Sequence, residues 1–293
     1  MRVLLTGATG TLGRNLVRRL QREPDIQLFL PGRTELAQPE AYVEEVHPEL
    51  VIHAAASGLR LPRPPFSEIA HFNVTMTLRL FYAAPATRFI LISSGLAYLP
   101  QGRPLKEDDP LQSLHVYGST RAAADLLLRA AAIATGRQLT VLRPFSFTGL
   151  DDAGGRLFPA LLTAAARREP FPLTPAQQVR DFSAVQDVAE AVVAAMRWRE
   201  PGTAPEIFNI GSGVSVTIQE TVETVCRALG LEVDLQFGAR PYPPQEPMHL
   251  VADTTRIRRV LGWQSQTDLA YAVWQLANAE FPEVKVHSPY ATS

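Results

Sequence analysis

The sequence predicts a doubly wound α/β fold: a mostly parallel sheet with helices on both faces, followed by a smaller lobe. Three observations predict it. Strand-like and helix-like segments alternate through the first half. The first apolar run, Val3 to Leu5, passes into Gly7, Gly10 and Gly13 and then into helix-like sequence. The residue groups with chemical character, Thr6 to Gly13, Ala54 to Ala56, Ser93 to Tyr98 and Pro144 to Gly149, all fall at predicted strand ends. Open α/β sheets bind ligands outside the carboxyl ends of their strands.

The elements follow in order. "RVLLT" reads as a strand and "LGRNLVRRLQRE" as an amphipathic helix. "IQLFL" is the second strand, "PEAYVEEVHP" a short helix and "LVIHAA" the third strand. "HFNVTMTLRLFYAA" predicts one helix, and "RFILISS" a strand ending in two serines. "VYGSTRAAADLLLRAAAIA" is a long helix and "QLTVLRP" another strand. After Gly149 the rhythm changes. "RLFPALLTAAARR" and "AVQDVAEAVVAAMRW" read as helices, with Asp187 in the first turn of the second. "EIFNIG" is a strand, and "SVTIQETVETVCRALG" a helix with Thr217 as its cap. The expected division is a nucleotide-binding domain over residues 1–150, with returning elements at 181–211. Residues 151–180 and 212–293 form the smaller, substrate-binding lobe.

At 293 residues the chain is long for one simple core. A formal net charge of -1 gives no broad basic surface for nucleic acid. Cys226 is the only cysteine, which excludes an intrachain disulfide and a cysteine-rich metal site; no metal is expected. No basic leader with an apolar core follows Met1, and no apolar stretch is long enough to span a bilayer. A cytoplasmic protein is expected. The 24 prolines gather in stretches such as 61–66, 171–175 and 240–247, which read as stiff connections.

Strand, glycine turn and helix together make a dinucleotide-phosphate site. One glycine permits the tight turn, one lets backbone approach the pyrophosphate, and one lets helix pack on strand. Gly7, Thr9, Gly10, Thr11, Leu12, Gly13 and Arg14 are the candidates there, with Ala54, Ala55, Ala56 and Pro144 at neighbouring strand ends. After the second strand an acidic residue would favour NAD. The chain has "LPGRTEL" instead, so Arg33, helped by Arg14, is set to neutralise the 2′-phosphate of NADP. Glu35 keeps NAD open.

Ser94, Tyr117 and Arg121 form the second constellation. Tyr117 and Arg121 are four apart on one helix and share a face. A tyrosine can pass a proton to or from a substrate oxygen if a cation and fixed donors lower its ordinary pKa near 10. A serine hydroxyl can hold that oxygen. Arg121 supplies a permanent cation but relays no proton. The same residues also read as a strand-end cap and a buried aromatic, and the glycine turn is what favours chemistry.

With these motifs the chain resembles the extended short-chain dehydrogenase/reductase family, in its sugar-nucleotide epimerase, dehydratase and reductase branch. The resemblance spans nearly the whole chain. "TGATGTLG" matches the opening turn, "VIHAAA" the strand backing the nicotinamide, and Asn73 the family's helix asparagine. "FILISSGLAY" and "YGSTR" match the serine strand and the Tyr-x-x-x-Lys helix. "LRPFSFTG", "VRDFSAVQDVAEA", "EIFNIGSG" and "ADTTRIRRVLGW" match later landmarks. The resemblance implies a Rossmann-like fold, Tyr117 as acid/base, Ser94 at the reacting oxygen and residue 121 on the nicotinamide ribose. The family has Lys at that position and this chain has Arg. Ser146, Thr148 and Leu150 also replace the usual Asn, Tyr and Pro.

"GRTELAQPEAYVEEVHPELVIHAAA" resembles the corresponding stretch of NADPH-dependent reductases of the branch. The expectation drawn from it is NADPH-dependent reduction of a keto group on a nucleotide-linked deoxysugar. A sugar-nucleotide 4-epimerase using NAD is the alternative. A noncatalytic NADP-binding regulator, motivated by Arg121, is a third. Ser94, Gly95, Ser146, Arg180 and Arg240 are the substrate-binding candidates, the two arginines for its phosphates. Asp181 is expected to orient loops. A homodimer is implied, through the helices containing Val74–Leu80 and Ala122–Leu128.

Overall fold

A computed structural model describes residues 1–59, 63–152, 155–198, 202 and 204–290. Its strands are β1 (Arg2–Thr6), β2 (Gln27–Phe29), β3 (Leu50–His53), β4 (Arg88–Ile92), β5 (Leu139–Pro144), β6 (Ser146–Thr148), β7 (Phe171–Pro172), β8 (Val179–Arg180), β9 (Phe182–Ala184), β10 (Glu206–Ile210), β11 (Val216–Thr217), β12 (Leu235–Gln236) and β13 (His249–Leu250). Its α-helices are α1 (Thr11–Leu20), α2 (Arg33–Ala37), α3 (Pro39–Val46), α4 (Phe66–Ala70), α5 (Met76–Ala83), α6 (Val116–Thr135), α7 (Leu157–Arg167), α8 (Val185–Arg197), α9 (Ile218–Leu229), α10 (Thr255–Leu261) and α11 (Leu269–Glu280).

Among the described residues, six strands form one sheet in the order β10-β5-β4-β3-β1-β2. Every neighbouring pair is parallel. The chain winds outward from β1 to β2, then crosses to β3 on the other side. That reversal opens a crevice beyond the carboxyl ends of β1 and β3. Strands covered on both faces read as continuous apolar runs. Val3, Leu4 and Leu5 of β1 are fully buried, as are Leu50, Val51 and Ile52 of β3. Leu12, Leu16 and Leu20 recur every four residues on α1 and pack against one face with Val188 and Val192 of α8. On the other face, Leu80 and Phe81 of α5 meet Leu128 and Ala132 of α6. The doubly wound parallel sheet is therefore as expected.

A separate core lies beyond the sheet. Leu161 and Leu162 of α7, Val222 and Val225 of α9, and Val273 and Leu276 of α11 pack together there. Thr217 caps α9 as expected: its side chain accepts from Glu220 N, and the Glu220 carboxylate accepts from Thr217 N.

One expectation needs correction, and one stretch left unassigned takes shape. The single helix over "HFNVTMTLRLFYAA" is α4, a π-helical turn at His71–Thr75, and α5. The buried amide of Asn73, bonded outside its own helix, sits in that wider turn. The "RTEL" stretch carrying Arg33 is the short helix α2, opened by a hydrogen bond from Gly32 N to Glu35 Oε2.

Candidate active site

The glycine turn meets its local requirements. Gly7 has φ +76° and touches the end of β3: a Cβ there would lie 2.6 Å from Ala55 N. A Cβ on Gly13 would lie 1.9 Å from Gly7 O. Gly10 is different, because a Cβ would meet only Gly7 O, at 3.4 Å, and otherwise open space. The first turn of α1 holds no acidic residue and no side-chain cap. Its amides, at Thr11 to Gly13, are left for an anion at the positive end of the helix. A cradle of backbone donors with bare backbone above it fits a dinucleotide pyrophosphate.

The other predicted cofactor residues separate. Thr9 is exposed at the turn, and Ala54, Ala55 and Ala56 follow β3 beside it. Pro144 is buried at the end of β5. Leu12 turns its side chain into the core and offers only backbone. Thr11 Oγ1 donates to Asp151 O at 2.9 Å, away from the crevice. Arg14, the expected helper at the 2′-phosphate, is exposed and its guanidinium pairs with Asp151, whose carboxylate also takes Arg18. Arg33 stands exposed beyond β2, with no ion pair among the described residues.

The candidate reacting group lies where β4 meets α6. Ser94 lies two residues past the end of β4 and caps the short turn Gly95–Ala97, accepting from Leu96 N at 3.1 Å. Gly118 brings α6 onto that turn; a Cβ there would lie 2.2 Å from Leu96 O. Its neighbour Tyr117 is thereby set beside the serine shelf. Gly118 was missed as a functional position. The signal was a glycine inside a helix-forming run, where it costs about 1 kcal/mol against alanine. The Tyr117 ring is buried, and its hydroxyl makes no hydrogen bond to the described residues. Gly95 is needed for packing: a Cβ would strike the Phe145 ring at 2.9 Å, so it offers substrate no side of its own.

Arg121 lies one turn on from Tyr117 and is fully buried. Its Nη2 donates to Ile92 O, while Nε and Nη1 have no partner among the described residues. Burial pulls its pKa down, and the Tyr117 and Asp125 charges pull it back up. Unsatisfied donors on a buried cation are costly. They fit the hydroxyls of a cofactor ribose.

Asn73 buttresses the tyrosine turn. Its Oδ1 accepts from Ser57 N at 2.8 Å, and its Nδ2 donates to Ser57 O at 2.9 Å and to Thr120 Oγ1 at 2.8 Å. His53, beneath the crevice, is pushed down to about 3 by burial, with the Arg121 charge adding to the effect.

Three of the substrate-binding candidates converge. Ser146, Arg180 and Arg240 line one cleft of about 340 Å³ between β6, β8 and the start of α7. Arg180 is buried and held by Glu246; burial lowers its pKa and Glu246 partly restores it. Asp181 orients loops as expected, accepting from Ser212 N, Ser212 Oγ, Gly213 N and Ala252 N. Glu246, at the cleft, was not singled out from sequence. A larger cleft of about 500 Å³, between β10 and α10, lies among Lys106, Arg129 and Arg256, away from the tyrosine. No described helix is long and apolar enough to cross a membrane.

Comparison with known proteins agrees with this geometry. The chain is 26% identical to a UDP-glucose 4-epimerase of Lactobacillus helveticus, over 90% of its own length and 92% of the relative's. It is 28% identical to a UDP-glucose 4-epimerase of Corynebacterium glutamicum, over 95% and 96%. The structure of MoeE5 in complex with UDP-glucose and NAD superposes with a TM-score of 0.84 at 26% identity, covering 95% of this chain and 98% of that one. The model of the NAD dependent epimerase/dehydratase family matches residues 3–211. The chain, with its glycine turn and buried tyrosine, belongs to that family.

Proposed function

We propose that the protein is an NAD-dependent 4-epimerase acting on a uridine diphosphate sugar. The observation that carries this reading is Arg121 beside Tyr117: a buried, permanently charged group that gives no proton away. A reductase must refill the tyrosine proton from solvent in every turnover. An epimerase returns to its product the proton it took from its substrate, so no relay is required. The names of the relatives point the same way. The NADPH-dependent keto reduction expected from the "GRTEL" stretch has no support among them, and epimerisation replaces it.

A bound nicotinamide would accept a hydride from the sugar C4 and return it to the opposite face. The glycine turn and the first amides of α1 would hold the cofactor's pyrophosphate, and Arg121 its ribose. In the first half, Tyr117 acts as the base that takes the C4 hydroxyl proton as the C–H bond breaks, while Ser94 holds the oxygen. In the second half Tyr117 gives the same proton back to that oxygen as the new C–H bond forms. Between halves the ketone must turn over, which the tethered diphosphate allows. Arg180 and Arg240 hold that diphosphate, because an arginine fork matches phosphate oxygens. The lobe formed by 151–180 and 212–293 would thus carry the nucleotide end.

A homodimer is part of the proposal. Leu80 and Leu128, on the expected helices, are buried in the core; Tyr82, Leu126, Leu127 and Ile133 on α5 and α6 are exposed and offer the contact instead.

The test is UDP-glucose with NAD, following UDP-galactose formation and nicotinamide absorbance together. Product without net cofactor turnover is expected. Tyr117→Phe should lower turnover by about 10²–10⁴-fold while NAD still binds. Consumption of one NADPH per keto-sugar reduced, with no epimerisation, would overturn the reading.

A further inference from the structure

A buried run of hydrogen bonds joins the glycine turn to the tyrosine helix. Ala55 N donates to Thr6 Oγ1 at 3.2 Å. Thr6 Oγ1 meets His53 Nδ1 at 2.7 Å, and His53 Nε2 meets Thr77 Oγ1 at 2.8 Å. Thr77 Oγ1 donates to Asn73 O at 2.8 Å. The directions follow from the two ends. A carbonyl only accepts, so the Thr77 proton goes to Asn73 and Thr77 must accept from His53 Nε2–H. Burial keeps His53 neutral, so with Nε2 protonated its Nδ1 accepts the Thr6 proton. The Asn73 side chain continues the run to Thr120 Oγ1, which donates to Tyr117 O at 2.8 Å. Thr6, His53, Asn73, Thr77 and Thr120 are all buried. Each hydroxyl both donates and accepts, so no member can turn without unmaking a neighbour's bond.

The two ends matter. Ala55 N lies against Gly7, at the floor of the cofactor crevice. Tyr117 O belongs to the first turn of α6. The π-helical turn His71–Thr75 places Asn73 between them.

We propose that His53 and Thr77 are positioning residues, which couple occupation of the crevice by NAD to the placement of the Tyr117 turn. The proposal rests on the crevice being the NAD site but not on the identity of the sugar. Neither residue touches the cofactor or the reacting oxygen. Their effect passes through the run.

Hydrogen exchange with and without saturating NAD tests this on the whole protein. In the parent, NAD should slow exchange at the start of α1 and also at the α6 amides of Ser119 to Ala122, by about fivefold or more. Thr77→Val keeps the shape and removes the hydroxyl. In it the slowing at α1 should persist, and that at α6 should fall below about twofold. Thr77→Ser restores the hydroxyl and should restore the coupling. Thr87→Val is the matched control: its hydroxyl is also buried and donates to Pro48 O at 2.8 Å, outside the run. It should lower the melting temperature similarly and leave the α6 response intact. Parental α6 slowing in Thr77→Val overturns the proposal. So does loss of the response in Thr87→Val, or its absence in a parent that binds NAD. Failure of the parent to bind NAD or NADP by calorimetry would overturn the cofactor reading itself, and the coupling with it.

Discussion

Arg121 on α6 and Arg143 on the neighbouring β5 are both fully buried, yet their surroundings differ sharply. Arg143 on β5 forks onto Asp125 through Nε at 2.8 Å and Nη2 at 3.1 Å. Its Nη1 reaches Tyr98 OH at 2.6 Å and Glu107 O at 2.9 Å. Tyr98 passes the chain on to Asn209, tying β10 to the β4 end. Arg121 holds one backbone carbonyl and leaves two nitrogens unmatched among the described residues. Asp125, one turn on from Arg121, is already taken by Arg143 and Arg129. A saturated buried arginine serves the fold. An unsaturated one raises the free energy of the empty protein and is kept for what binds.

The contrast can be broken by experiment. The largest effect is expected at Asp125. Asp125→Ala strands Arg143 as a buried charge and should cost about 3–5 kcal/mol in urea unfolding. A loss below about 1 kcal/mol would place Arg143 among ordinary positions. Arg121→Met should do the opposite. The cofactor-free protein should melt no lower than the parent, while NAD affinity falls by about 10–100-fold in calorimetry, the worth of one or two charged hydrogen bonds. An apo protein destabilised as much as Asp125→Ala would make Arg121 a structural residue. Arg121→Lys keeps the charge and should retain or improve turnover.

Acid sharpens the comparison through His53, which Arg121 faces unpaired. Its value of about 3 lies below the unfolded 6.5, so the unfolded chain binds more protons between those pH values. The stability is fully present above 6.5 and is lost as pH falls toward 3. The slope should be up to about 1.4 kcal/mol per pH unit in that window. His53→Gln should flatten it, as read from urea midpoints across the interval. The smallest effect belongs to the exposed Arg33. Arg33→Ala should leave NAD affinity within about twofold and weaken NADP by no more than about fivefold, the worth of an exposed charge pair. A larger loss for NADP would revive the phosphate-reading role expected from sequence.

The sequence carried much of this. Alternating strands and helices gave the doubly wound sheet, because parallel strands need crossovers and buried faces. The turn at Gly7 and Gly13 was legible because its demands are local: six residues apart, one glycine sits on the carbonyl of the other. Tyr117 and Arg121 shared a face by helix geometry alone. The π-helical turn was not legible, since its asparagine bonds to Ser57 and Thr120, far along the chain. The surroundings of the expected phosphate-reading arginines were illegible for a similar reason. Arg14 looked available, but its partner Asp151 lies 137 positions away.

What the sequence determined by itself was therefore everything set by short spacing: the strand–glycine–helix turn, the tyrosine face of α6 and the capped helix at Thr217. Tertiary structure alone decided which cations are matched and which are left open. It paired Arg14 with Asp151 and Arg143 with Asp125, left Arg121 with two donors unmatched among the described residues, and gathered Ser146, Arg180 and Arg240 around one cleft. The physical reason is that a charge is satisfied by whatever lies within a few ångströms, and chain folding, not chain order, sets that neighbour.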